Sequence, residues 1–289
     1  MSTLNAPQPE PTKSTYVLDA SNPAEIIRLV YQDQLLTQHL GGLFPEHPDL
    51  SHVHDMLDIA CGPGSWALQV AQAYPQIDVT GIDLNTQMIL YARAHALLEG
   101  LPNAHFQLMD ALKPLDFPDH AFDLVNARLL QAFMLPEAWP RLLQECVRMT
   151  RPGGSIRLTE AEYSLSNSPA FERIGALCTQ ALKIAGQSFS PDGRHVGITP
   201  MLGRFLRDAG CRNIRHFASA LDYSAGTAVH DIMYQNVVNT VQLVQPFLIR
   251  CGLTTQEAIT ALYEQALEDM RAADFCAIEF FLTVWGERP

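Results

Sequence analysis

From residue 55 to residue 160, short apolar runs alternate with stretches of helical periodicity, and this pattern limits the fold more than any other feature of the chain. The runs are 56–60 (MLDIA), 77–82 (IDVTGI), 104–108 (AHFQL), 122–126 (FDLVN) and 155–159 (SIRLT). Strands this short and this apolar are covered on both sides, and helical crossovers between them make βαβ units of a parallel sheet. The expected helices are 65–73, 86–99 and 139–149. Pro152-Gly153-Gly154 is expected to form a turn that launches the fifth strand.

Outside this core the pattern loosens. Residues 1–14 (MSTLNAPQPEPTKS) hold little that could enter a core and are expected to be a disordered tail. An amphipathic helix is expected over 24–40, ended by Gly41-Gly42. Beyond the fifth strand the sequence predicts helices over 169–185 and 200–209, a turn at 190–193, a sixth strand over 213–221 and a last strand over 277–285. About fifty residues of helical pattern, 228–247 and 255–273, lie between those two strands. Residues 232–249 carry no formal charge but include Gln235, Asn236, Asn239, Thr240, Gln242, Gln245 and Pro246, too polar a set for hydrocarbon.

Composition excludes some classes of function. The 289 residues carry 31 acids against 19 Lys and Arg, a formal charge of -12, so polyanions are repelled and nucleic acid is not an expected partner. Six scattered cysteines with no C-x-x-C pair, and no signal peptide, point to a reduced, cytoplasmic protein without disulfides. No run has metal-ligand spacing, so no metal is expected.

The stretch 57–67, LDIACGPGSWA, breaks an apolar strand with Gly62-Pro63-Gly64 and resumes as a helix, which brings backbone N–H groups and a helix N-terminus close to a ligand. Gly62 to Ala67 also fits the dinucleotide fingerprint, with Asp83 about twenty residues on to hold ribose hydroxyls. Three features argue against a dinucleotide. Asp58 lies inside the strand before the glycines, Pro63 and Trp66 make the turn bulky, and Asp110-Ala111 after the third strand suits the edge of an adenine.

LDIACGPGSW, VTGIDLN, FQLMDA, FDLVNARLL and RMTRPGGSIRLTE, in this order and spacing, resemble the class I S-adenosylmethionine-dependent methyltransferases, in particular the small-molecule type similar to the quinone-biosynthesis enzymes. The resemblance implies a Rossmann-like α/β fold: a seven-stranded, mostly parallel sheet with helices on both faces. It implies a helical lid at 15–50, a methyltransferase domain at 51–289 and, where the family usually has a short hairpin, a helical cap at about 224–275. The implied cofactor is S-adenosyl-L-methionine. Asp58, Gly62 and Gly64 match the positions that face its methionine half, Asp83 the ribose acid, Asp110 and Ala111 the adenine contacts, and Asn126 the position closing the site beneath the sulfonium. Leu84 and Met88 would border the cofactor, and Tyr16 would reach its methionine end. Ala60 stands where the family commonly has glycine.

Methyl transfer from a sulfonium needs alignment of the acceptor, and needs a base only if the acceptor must lose a proton. His195 is the expected base and Glu160 a second catalytic candidate, against the plainer reading of each as a surface or loop-bracing group. Arg128, Tyr163, Arg194 and Tyr234 are the expected substrate contacts. The uncharged Gln, Asn and Thr face of 232–249 is expected over a pocket or a partner subunit, and a homodimer is left open. The acceptor is expected to be a small, partly apolar metabolite methylated on O, N or C, such as a quinone precursor or secondary metabolite. An S-adenosylmethionine-dependent isomerisation or cyclisation is the alternative, with a nicotinamide-dependent dehydrogenase and a non-catalytic binding protein behind it.

Overall fold

The computed structural model describes residues 16–18, 23–46 and 49–289. The expected tail at 1–14 lies outside them. Eight strands form one sheet: β1 Asp55–Ile59, β2 Asp78–Asp83, β3 Ala104–Leu108, β4 Phe122–Arg128, β5 Thr150–Ala161, β6 Leu165–Ser166, β7 Arg212–Asp222 and β8 Ala277–Glu287. The helices are α1 Pro23–His39, α2 Ser65–Ala73, α3 Thr86–Leu98, α4 Trp139–Met149, α5 Pro169–Ile184, α6 Leu202–Asp208, α7 His230–Arg250 and α8 Gln256–Met270.

The sheet runs β3-β2-β1-β4-β5 with parallel pairings, then β8, which pairs antiparallel with β5 and β6 on one edge and with β7 on the other. Only β8 is reversed, so the sheet is mostly parallel. The count departs from the expected seven because β6, two residues long, continues β5 along the edge of β8 after a break at 162–164. Pro152-Gly153-Gly154 also departs from expectation: it lies inside β5 as a bulge, where the register steps from Phe122↔Thr150 to Leu124↔Ser155. Gly154 is required there, since a Cβ would lie 2.6 Å from the Asp123 carbonyl oxygen.

Alternation along the strands divides the core. Leu57, Ile59, Val125, Ala127, Ile156 and Leu158 pack towards α4 and α6, where Trp139 stacks on Phe205 with ring centroids 5.2 Å apart. Met56, Val79 and Leu124 face the other way, against Trp66, Ala67 and Val70 of α2 and Ile89 and Ala92 of α3. A third cluster joins α1, α5, α7 and α8 above the β8 end of the sheet, with α7 and α8 inserted between β7 and β8. Side-chain caps fix where helices begin: Asn85 accepts from Gln87 N and Met88 N, Ser168 from Phe171 N and Thr255 from Ala258 N. Among the described residues no helix is long and apolar enough to cross a membrane.

Candidate active site

Loops at the C-terminal ends of β1 to β5, where open α/β sheets hold their ligands, border a cavity of about 770 Å³. At the β1–β3 side its wall consists of Ala60 to Pro63, Asp83 to Asn85, Met88 and Met109 to Leu112. At the opposite side it consists of Tyr163 and Ser164, Phe171 and Cys178 of α5, Glu279 and Phe281 of β8, and one stripe of α7. Arg28, Leu29, Gln32, Asp33 and Leu36 of α1 cover it. The volume falls in the range of pockets for ligands of cofactor or drug size.

The β1–β3 side is built around Asp83. Its carboxylate accepts Gly62 N at 2.9 Å and Asn85 N at 2.8 Å, tying the glycine loop to the end of β2. Burial pushes its pKa up, against the lowering effect of these backbone donors. A carboxylate has about four acceptor sites, so two backbone donors leave capacity for ligand hydroxyls. Asp110 accepts Leu112 N at 2.9 Å, and Lys113 lies 3.5 Å from its other oxygen. Ala60 has φ +54°, the left-handed region that favours glycine, as does Gly62 with φ +55°. The structure thus places Tyr16, Ala60, Gly62, Asp83, Leu84, Met88, Asp110, Ala111, Arg128 and Tyr163 on one cavity wall or another.

Three residues expected at the cofactor lie elsewhere. Gly64 caps α2 with φ +78°, and a Cβ on it would lie 2.6 Å from Phe106 Cε1 and 2.8 Å from Ala92 Cβ, so its small size serves the packing of α2 on α3 and β3. Asp58 and Asn126 belong to a buried polar row beneath the cavity. Asp58, Asn126 and Arg157 are direct register neighbours on β1, β4 and β5. Asn126 Nδ2 donates to Asp58 Oδ1 at 2.8 Å, Arg157 Nη1 donates to Asn126 Oδ1 at 2.9 Å, and Arg157 Nε pairs with Glu46. Burial raises the Asp58 pKa to about 6, opposed mainly by Arg128 and Asn126.

Beyond β4 the chain turns sharply. Leu129 has φ +55°, an outlier for a bulky residue. Its N–H donates to Thr159 O at 2.9 Å, and the next N–H, of Leu130, donates to Glu160 Oε1 at 2.7 Å. Glu160 is thereby corrected from catalytic candidate to loop brace: it is 1 % exposed, lines no part of the cavity, and burial raises its pKa to about 8. Arg128 reaches the cavity, but it donates to Asp33 Oδ1 of α1 at 2.5 Å and lies over the Trp66 ring, 5.1 Å from its centroid. Glu162 also touches the cavity, while its carboxylate gathers Val196 N, Gly197 N and both Thr199 donors.

His195 and Arg194 are corrected as well. Neither lines the cavity; the loop is held by Glu162 on one side and by Ser188 donating to the His195 carbonyl on the other, and both side chains face solvent. Arg194 is 78 % exposed and pairs with Asp192 at 2.6 Å. Tyr234 packs under Arg271, whose guanidinium lies 5.0 Å from the ring centroid, and it too is off the cavity. The polar face of α7 divides: Asn236 and Thr240 reach the cavity wall beside Met233, Val237, Val241 and Val244, whereas Gln242 bonds the Tyr263 hydroxyl and Gln245 bonds Gln256 of α8. Buried oxygens of Gln131, Asn236 and Thr240, all wall residues, have no hydrogen-bond partner.

Sequence reasoning missed two clusters. Glu25 of α1 accepts from Tyr16 Oη at 2.5 Å and from Arg28 Nε at 2.7 Å, a buried trio whose helix spacing of three was readable. Glu279 had no such signal. Among the described residues no group of three or more His, Cys, Asp or Glu is arranged to hold a metal.

Comparison with known proteins agrees with this geometry. Residues 56–154 match the family described as a methyltransferase domain. The chain is 25% identical over 282 residues to the methyltransferase str2 of Strobilurus tenacellus, covering 94% of this chain and 96% of that one. It is 33% identical over 136 residues to the 27-O-demethylrifamycin SV methyltransferase of Amycolatopsis mediterranei, covering 47% of this chain and 46% of that enzyme. Among solved structures, phosphoethanolamine N-methyltransferase 2 of Haemonchus contortus in complex with S-adenosyl-L-methionine aligns with TM-score 0.52 and 19% identity, over 87% of this chain and 52% of that one. The chain thus spans nearly all of the first relative and about half the length of the other two.

Proposed function

We propose that this chain, which matches a methyltransferase domain over residues 56–154, is a class I S-adenosylmethionine-dependent enzyme that transfers a methyl group from S-adenosylmethionine to O, N or C of a small, partly apolar molecule. The observation that carries this reading is the two-sided cavity. One side holds Asp83, Asp110 and the left-handed Gly62 turn, which suit a nucleoside, and the other is an apolar chamber bounded by α5, α7 and β8.

The residues present fit the cofactor. Asp83 keeps acceptor capacity for ribose hydroxyls while fixing the Gly62 loop. Asp110 and Ala111, on the same wall, would border the adenine end, with Leu84 and Met88 as its apolar walls. Bound S-adenosylmethionine supplies an electrophilic methyl group on a sulfonium whose thioether leaves without acid help. The chain's contribution is alignment and exclusion of water: α1 acts as the lid, held by Arg128 on Asp33 and by Gln69 on the same carboxylate at 2.7 Å, and α7 acts as the inner wall of the cap. Asp58 and Asn126 act from below, as the polar row that fixes the ends of β1 and β4.

Calorimetric titration with S-adenosylmethionine, S-adenosylhomocysteine and nicotinamide dinucleotides tests the cofactor. Micromolar binding of the first two is expected, weakened at least about tenfold in Asp83→Ala, where both loop anchoring and ribose contacts are lost. Binding only of dinucleotides would overturn the reading, and a labelled-methyl assay against phenols, amines and activated carbons reads out the transfer.

A further inference from the structure

Glu279 is the ionisable group of the cavity that the proposed methyl transfer leaves unused. It lies on β8, opposite Leu221 of β7, with its side chain on the cavity wall two residues from Phe281, which shares that wall; Phe280 between them points away. Its carboxylate has no hydrogen bond and no salt bridge among the described residues. The cavity's two arginines are already engaged, Arg28 with Glu25 and Arg128 with Asp33. Titratable groups near Glu279 supply no cation: Tyr163, Tyr223 and, by way of Tyr163, Cys178. Tyr163 interacts with the Cys178 thiol, and the buried Tyr223 hydroxyl has no hydrogen-bond partner, so neither is bonded to the carboxylate.

A carboxylate withdrawn from bulk water without a partner is costly, and chains retain one where a ligand completes it. The surroundings say which ligand. Tyr163, Phe171 and Phe281 offer aromatic surface on the same wall, which attracts a cation. Of the unpaired wall oxygens, Gln131 Oε1 and Asn236 Oδ1 only accept and the Thr240 hydroxyl accepts as well as donates, and the net charge of -12 draws cations towards the mouth. A neutral alcohol or phenol would leave the carboxylate's charge uncompensated, and an anionic acceptor would be repelled.

Resting on the methyl-transfer reading above, we propose that Glu279 is the anchoring carboxylate of the acceptor subsite, and that the acceptor is a hydrophobic, ring-bearing molecule with a cationic amine. Burial raises the Glu279 pKa to about 7; an ammonium group beside it brings the ionised form back.

The test is calorimetric binding of matched pairs, tryptamine with tryptophol and 2-phenylethylamine with 2-phenylethanol, to wild type, Glu279→Gln and Glu279→Asp, each with and without S-adenosylhomocysteine. The wild type should bind each amine at least tenfold more tightly than its alcohol. Glu279→Gln should abolish that preference, Glu279→Asp should keep part of it, and all three should bind S-adenosylhomocysteine equally. Glu279→Gln should also melt no lower than wild type, since it removes an uncompensated charge. Alcohols binding as tightly as amines, or a preference unchanged in Glu279→Gln, would overturn the proposal while normal S-adenosylhomocysteine binding left the methyl-transfer reading standing. Loss of S-adenosylhomocysteine binding in the wild type itself would sink that reading instead, whatever the amines do.

Discussion

Replacing Glu160 separates a catalytic acid from a structural one. In the folded protein its pKa stands at about 8, raised from 4.5 chiefly by desolvation and lowered in part by backbone donors of Leu130 and Gln131. Between those two values the unfolded chain has released the proton and the folded chain has kept it. Stability therefore falls as pH rises through that window, by about 1.4 kcal/mol per pH unit, and the loss reaches about 3 kcal/mol by pH 7. Below the window both states are protonated and the effect vanishes. Glu160→Gln keeps an oxygen for the Leu130 N–H and cannot ionise. Its melting temperature should match the wild type at pH 4 and exceed it by several degrees at pH 7, with methyl transfer retained. Glu160→Ala strips the acceptor from a buried N–H and frees the left-handed Leu129 turn, so it should be about 2–4 kcal/mol less stable than Glu160→Gln at either pH. Thermal melts of the three proteins from pH 4 to 9, with turnover at pH 7, provide the check. A stable but inactive Glu160→Gln would refute this reasoning and return the residue to catalysis.

Two further outcomes follow from the backbone and from the surface. Ala60→Gly should raise stability by about 1 kcal/mol by relieving a left-handed alanine, whereas Gly64→Ala should lower it by about 2–3 kcal/mol because the new methyl meets Phe106 and Ala92; denaturant melts measure both, and the opposite order would contradict the assignment of each glycine-loop position. Arg194→Ala and His195→Ala, both outside the cavity, should keep kcat/KM within about twofold of wild type once an acceptor is in hand; a hundredfold loss in His195→Ala would restore it as the base.

The sheet was legible because its strands are short apolar runs with helices between, and each of the first five runs sits in a strand. Asp83 and Asp110 were legible because one ends β2 and the other comes two residues after β3, so chain position alone puts them at the C-terminal edge. Asp58 and Asn126 were not, because their roles depend on register. Sequence alone does not tell that positions 58, 126 and 157 lie side by side across three strands and satisfy one another. Glu160 and His195 failed for a related reason: a side chain at the end of a strand or in a long loop can turn into the cavity, back into the loop or out to water, and the deciding groups, Leu130 N–H and Glu162, are remote in the chain. Glu279 was the hardest to see, since an acid in a strand near a terminus reads as a solvent-facing position until α5 and α7 are folded over it.

The placement of acids around the cavity follows one physical rule with two outcomes. Asp58 and Glu160 are buried, each taking a hydrogen bond from the protein itself, though Glu160 Oε2 is left unpaired, and neither lines the cavity. Asp83 stands between, with part of its capacity spent on the Gly62 loop and part left over. Glu279 has no donor among the described residues. Asp83 and Glu279 line the cavity and Glu160 does not, so at those two a ligand can supply what the protein withholds. On the reading proposed above, donors are demanded at two places by two ligands, ribose hydroxyls of the cofactor at Asp83 and the cationic amine of the acceptor at Glu279, with apolar surface between them.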